Sequence, residues 1–146
     1  MHEDKPGRPK KHLGQHFLQD TGIISKIIQT ADVNKEDVIV EIGPGRGALT
    51  FRLAEMASEV IAIEIDHSIV ESLNERAASY PNLSIVEADA LRFHYHEIGT
   101  RFKVVANLPY YISTPILFRL IELSDMVTSM TIMLQKEVAE RVVASP

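Results

Sequence analysis

At 146 residues, 45% of them hydrophobic, the chain is long enough to bury one substantial core and fold as a single compact domain. It has no cysteine, which excludes a disulfide framework and a thiolate zinc site, and no apolar run reaches the length of a membrane span. The formal net charge of −5 argues against a general nucleic-acid binder, and the charged N-terminus is not a signal peptide, so the chain reads as cytoplasmic with no membrane partner. The stretch "KPGRPKKH" at 5–12 runs against that balance. It reads as part of a basic, flexible arm over residues 1–12, a solvated tail before an RNA contact, ahead of a folded domain over 13–146.

Along the domain, helical apolar spacing alternates with short β-branched runs, the pattern of a parallel α/β sheet with helices on both faces. Asp20 is placed to cap a helix whose Ile23, Ile24, Ile27 and Ile28 share a face. "DVIVEI" at 37–42 is a buried first strand, and "GALTFRLAEMA" at 47–57 forms the next helix. "VIAIEI" at 60–65 is a second strand, followed by the helix "SIVESLNERA" at 68–77 with Ile69, Val70 and Leu73 inward. "LSIVEA" at 83–88, "FKVVAN" at 102–107 and "MTIMLQ" at 130–135 make the third, fourth and fifth strands. Before the fifth, Thr114 and Pro115 read as the cap and first position of a helix with Ile116, Leu117, Leu120 and Ile121 on its core face. A further helix is expected after the fifth strand, where the chain ends at "RVVASP".

In such a sheet ligands bind beyond the carboxyl ends of the strands, where strand order reverses. The residues with chemistry fall there. After the first strand, "EIGPGRGALT" supplies Gly43, Gly45 and Gly47, whose backbone can turn sharply against a ligand. After the second come Glu64 and Asp66, after the third Asp89, and after the fourth "NLPYY". The glycine loop also fits the dinucleotide pattern, with Glu64 about 20 residues on as the ribose-binding acid. A carboxylate at Glu64 accepts from both ribose hydroxyls, and one at Asp89 accepts from the amine of an adenine. Loop, Glu64 and Asp89 thus describe a pocket for an adenosine, that of S-adenosylmethionine as readily as that of NAD.

The fourth strand separates the two. Hydride transfer has no evident use for an amide, a proline and tyrosines at its end, whereas methyl transfer to a planar amine does. The Asn107 side-chain oxygen and the Leu108 carbonyl can accept from the two hydrogens of an exocyclic adenine amine and favour its pyramidal form. Pro109 fixes the turn and adds no competing donor. Tyr110 offers a face for an extruded base, a stack worth about 1–3 kcal/mol. Tyr111 reads as a loop aromatic packed on the sheet.

The motifs "GQHFL" at 14–18, "EIGPGRGALT", "EADAL" around Asp89, "NLPYYISTP" and "MLQKEVAERVVASP" together resemble the small-subunit rRNA adenine dimethyltransferases, bacterial enzymes whose loss confers kasugamycin resistance. The resemblance runs from about residue 10 to the last. It implies a Rossmann-like class I methyltransferase fold, S-adenosylmethionine as donor, no metal, and two adjacent adenines near the 3′ end of small-subunit rRNA as acceptors in the immature subunit. It further implies that Gln15, His16 and Leu18 close over the methionine end of the cofactor, with Gly43 and Gly45 beneath it. Glu64 would hold the ribose, Ile65 would pack on the adenine, Asp89 would bind its amine, and the Ala90 backbone its ring edge. Asn107 would span cofactor and target, with Leu108, Pro109 and Tyr110 serving the target base.

Macrolide-resistance methyltransferases share this architecture and act on large-subunit rRNA; "GQHFL" with "NLPYY" favours the small-subunit branch. A ribosome-assembly checkpoint factor and, at lower weight, a NAD-dependent oxidoreductase are the other readings. The resembled family continues with further strands and a small helical RNA-binding domain, so the chain reads as a domain truncated after its fifth strand, an apolar edge open to self-association. "HYH" at 94–96 has too few ligands near it for a metal site, and "ESLNERA" at 71–77 reads as a solvated charged helix face.

Overall fold

In a computed structural model, which describes residues 20–109 and 111–133, Asp20 caps the first helix as its position suggests. Its carboxylate accepts from the N–H groups of Gly22 (2.8 Å) and Ile23 (3.2 Å), satisfying donors that a helix start leaves without partners. Helix α1 spans Thr21–Ala31 and ends at Asp32, whose left-handed backbone (φ 51°) lets its N–H return to the Gln29 carbonyl. Ile24 and Ile28 are buried, while Ile23 stands at the margin of the face and is exposed.

Five strands follow: β1 Val38–Ile42, β2 Glu59–Glu64, β3 Leu83–Glu87, β4 Phe102–Asn107 and β5 Val127–Met133. All pair in parallel, in the order β3-β2-β1-β4-β5. The order reverses between β1 and β4, which sets the ligand crevice at Ile42 and Asn107. Helices α2 (Thr50–Met56) and α3 (His67–Ala77) join α1 on one face, and α4 (Ser113–Glu122) covers the other with a 3₁₀ turn at Tyr95–Ile98.

Alternation along the strands feeds two cores. Ile39, Val60, Ala62 and Val105 pack with Ile24, Ile28, Phe51, Leu53 and Leu73 of the first layer. Val40, Ile42, Ile61, Ile63, Val104 and Ala106 pack with Ile116, Leu120, Leu123 and Tyr95 of the second. The base of the sheet is closed by Lys103, which donates to the Asp32 carbonyl (2.7 Å) and pairs with Asp37 (2.9 Å), both charged side chains being largely buried.

The expectations for α4 and β5 need correction. Helix α4 starts at Ser113, not at a Thr114 cap, because the Ile112 N–H already bonds to the Pro109 carbonyl and the turn runs straight into the helix. Pro115 still falls within the first turn, where a missing N–H costs nothing. Ile121 is 58% exposed, and Leu123 fills the core position expected of it. Strand β5 begins at Val127 rather than Met130, with a register shift opposite Phe102 and Lys103. The arm at 1–12, Gln15, His16, Leu18, Tyr110 and the expected helix beyond β5 lie outside the described residues.

Candidate functional site

The glycine loop is shaped by its contacts on either side. Gly43 has φ 75°, and a Cβ there would stand 2.9 Å from the Asn107 carbonyl oxygen, so loop and fourth strand meet with no room for a side chain. Behind the loop, a Cβ on Gly47 would drive into Phe51 and Leu73. The positive φ at Gly47 keeps residues 47–49 out of the helix expected to start there.

Glu64, the last residue of β2, is a carboxylate with 5% exposure. Its Oε2 accepts from the Asp66 N–H (3.0 Å), and the N–H groups of Ile65 and Gly45 also bond to it, which ties the strand end to the glycine loop. Burial pushes its pKa above the ordinary carboxylate value; the Asp66 N–H opposes this and the Asp66 charge adds to it. Ile65, by contrast, is 61% exposed, an apolar side chain held out beside a buried acid.

Gly43, Glu64, Ile65, Asp89, Ala90, Leu108 and Pro109 line one cleft at the carboxyl ends of β1, β2, β3 and β4, enclosing about 420 Å³ of space partly open to solvent. Gly45 joins it through Glu64, and Asn107 through its carbonyl against Gly43. Asp89 bends the chain at the wall of this cleft: its Oδ1 accepts from the Leu91 N–H (2.9 Å). The side chain of Asp89 remains one-third exposed.

Tyr111 was not expected here. Instead of packing on the sheet it lines the cleft with Ile112, half-exposed and close enough to Glu64 for that charge to help raise its pKa, after burial as the larger cause. Nothing in the spacing of "NLPYY" separates a tyrosine that lines a cleft from one that covers a sheet.

Arg76 also departs from its expected role. Its guanidinium lies 4.2 Å from the centre of the Phe51 ring and donates to the Arg46 carbonyl of the glycine loop at 2.7 Å. In the "HYH" stretch, Tyr95 is fully buried, while His94 and His96 are exposed and face Glu97 (3.5 Å) and Asp125 (3.7 Å). Among the described residues no group of three or more His, Asp or Glu side chains is placed to hold a metal ion.

A parallel sheet of this order with such a cleft at its reversal is a Rossmann-like fold, and two solved structures that the chain resembles at 33–37% identity are methyl-transferring enzymes. The crystal structure of a dimethyladenosine transferase from Plasmodium falciparum is similar to the chain with a TM-score of 0.79 at 37% identity, over 89% of this chain and 47% of that one. The 23S rRNA methyltransferase ErmE gives 0.78 at 33% identity, over 85% of this chain and 50% of its own.

The chain belongs to the ribosomal RNA adenine dimethylase family, which matches residues 7–146. The ribosomal RNA small subunit methyltransferase A of Alkaliphilus oremlandii is 44% identical over 142 residues, 93% of this chain. The chain spans about half the length of the curated relatives it matches, 50% in that case. With the family fixed, the dinucleotide reading of the glycine loop lapses.

Proposed function

We propose that the cleft binds S-adenosylmethionine and that the chain carries the methyl-donor half of an rRNA adenine dimethyltransferase. Its substrate is two adjacent adenines near the 3′ end of small-subunit rRNA in the immature subunit, which places the reaction in the cytoplasm. The observation that carries this reading is Glu64, a carboxylate buried at a strand end, bonded to the glycine loop and flanked by an exposed isoleucine. A solvated strand-end acid needs no such burial; a receptor for two ribose hydroxyls does.

The other residues fit the same ligand. The close approach of Gly43 to Asn107 leaves bare backbone for the methionine end of the ligand; Gln15, His16 and Leu18, assigned to that end by the family resemblance, lie outside the described residues. Ile65 supplies an apolar surface for the adenine, Asp89 an acceptor for its amine, and the Ala90 backbone its ring edge. When bound, the cofactor supplies an electrophilic methyl group on a sulfonium. The chain's own part is to position the acceptor: the Asn107 side-chain oxygen and Leu108 carbonyl hold the two hydrogens of the target amine. Pro109 fixes the turn that carries them, and Tyr110 stacks on the base. Orientation of this kind accounts for most of the rate in an in-line displacement that needs no strong base.

Calorimetric titration with S-adenosylmethionine tests the reading. Saturable binding by the chain, at least about tenfold weaker in Glu64→Ala, is the expected result for loss of a charged acceptor. A chain that takes up no cofactor overturns it, and methyl transfer directed to large-subunit rRNA overturns the assigned substrate. Weak self-association through β5, which pairs only with β4 among the described residues and exposes Met130, belongs to the same proposal. Sedimentation that finds a monomer at high concentration removes that part alone.

A further inference from the structure

Tyr95 lies outside the cleft, in the "HYH" stretch whose histidines face solvent. Its ring is fully buried, edge-on to Phe93 at 5.0 Å and stacked with Phe102 at 6.0 Å. A phenylalanine would fill that space equally well. The difference is the hydroxyl, which donates to the carbonyl of Ala90 at 2.6 Å. Burial pushes the Tyr95 pKa up to about 12, so the group stays a donor at any physiological pH.

Ala90 follows Asp89 in the cleft wall. The turn there is closed mainly upon itself: Leu91 donates to the Asp89 carboxylate, and Arg92 and Phe93 donate to the Asp89 carbonyl at 2.9 Å each. Those bonds fix the shape of the turn, and the Ala88 N–H, which donates to the Glu64 carbonyl at 3.0 Å, ties its entry to β2, but none of them sets the height of the Ala90 side above the sheet. The Tyr95 hydroxyl anchors the turn to the core below, on the peptide next to the acid. The Arg119 guanidinium of α4, 5.5 Å from the Tyr95 ring centre, bears on the same anchor from the element that follows the target-base loop.

We propose that Tyr95 is a positioning residue for the adenine end of the cleft, its hydroxyl setting the Ala90 peptide and hence the aim of the Asp89 carboxylate, so that the site selects a purine bearing a 6-amino group. The role rests on the reading of the cleft as a cofactor pocket. Its test compares S-adenosylhomocysteine with S-inosylhomocysteine, in which a carbonyl oxygen replaces that amine, on the same preparations of the chain and of Tyr95→Phe. The parent favours the adenosyl compound, and in Tyr95→Phe this preference shrinks by about fivefold, the worth of one well-aimed hydrogen bond. A ratio taken on one preparation cancels any loss of folded protein. Equal preference in variant and parent, even with both affinities lowered, overturns the positioning role and leaves the cofactor reading intact. A parent that binds neither compound overturns the cofactor reading, and the role of Tyr95 with it.

Amide exchange reads the same displacement without ligand. Exchange at Leu91 is expected to quicken by about fivefold in Tyr95→Phe while Val40 in β1 is unchanged. Unchanged exchange at Leu91, or equal acceleration at both positions, reduces Tyr95 to a packing residue and overturns the proposal.

Discussion

Gly43 and Glu41 lie two residues apart, and they differ sharply in how far the sequence discloses them. Gly43 is legible from its loop because a glycine after a buried strand has a physical reason to be there, and that reason turns out to be the Asn107 carbonyl at 2.9 Å. Gly43→Ala combines this contact with a left-handed backbone, and the carbonyl is backbone that cannot swing aside. Loss of at least about 1 kcal/mol of stability is expected, with cofactor affinity falling by tenfold or more. Thermal unfolding and titration measure the two. Glu41 reads only as part of an apolar strand, since its setting depends on Thr50, nine residues on, returning its hydroxyl to the carboxyl group. Burial raises the Glu41 pKa to about 7; the Thr50 hydrogen bond opposes the rise and the Glu64 charge adds to it. Unfolded, the group ionises near its ordinary value of 4.5, so between 4.5 and about 7 the folded state holds the extra proton. Stability therefore falls as pH rises through that window, by up to something on the order of 3 kcal/mol. Glu41→Gln keeps an acceptor for Thr50 and removes the titration. The variant's unfolding temperature is expected to gain on the parent's steadily from pH 5 to 7.5, and parallel pH profiles would refute this origin of the effect.

Among the elements, β1 to β4, α1 and α3 are those that the sequence places well, since each presents an apolar face or run, whereas α2 begins at Thr50, three residues after its motif. The misplaced boundaries have local causes. β5 starts early because Thr128 and Ser129 are solvent-facing residues of a strand whose pairing to β4 is set by register, not by its own hydrophobicity. α4 starts early because a turn closed by Pro109 and Ile112 substitutes for a side-chain cap. Arg76 shows the same limit at a contact between elements. On its own helix it is one more charged residue in the last turn, yet its guanidinium spans from Phe51 to the glycine loop. Arg76→Ala should leave α3 formed and free the Arg46 carbonyl, weakening cofactor binding by about threefold to tenfold. Arg76→Lys, with a point charge in place of a planar fork, should recover only part of that loss. Circular dichroism that reports an intact fold beside unchanged affinity would show that the loop holds itself.

For the whole molecule, the order of the strands matters more than any single motif. Parallel crossovers put the loops after β1, β2, β3 and β4 at one end of the sheet, so that Gly43, Glu64, Asp89 and Leu108 converge from four separate stretches of sequence. The chemistry of each was readable in isolation; their common cleft required only the parallel topology. Holding the RNA is a separate matter from the cleft, and it depends on charge. Affinity for a polyanion grows with the phosphates neutralised by lysine and arginine, whereas this chain carries 15 such residues against 20 acids. Its family relatives are about twice as long, so cofactor binding and RNA binding need not reside in the same stretch. The 146-residue chain is therefore expected to bind S-adenosylmethionine while holding small-subunit rRNA only weakly, with a log Kd against log salt slope of small magnitude between about 50 and 200 mM. A steep slope with tight binding would place the RNA contacts within these residues, the basic stretch at 5–12 first among them. A shallow slope would mean that the chain orients the methyl donor and that selection of the rRNA rests on surface supplied elsewhere.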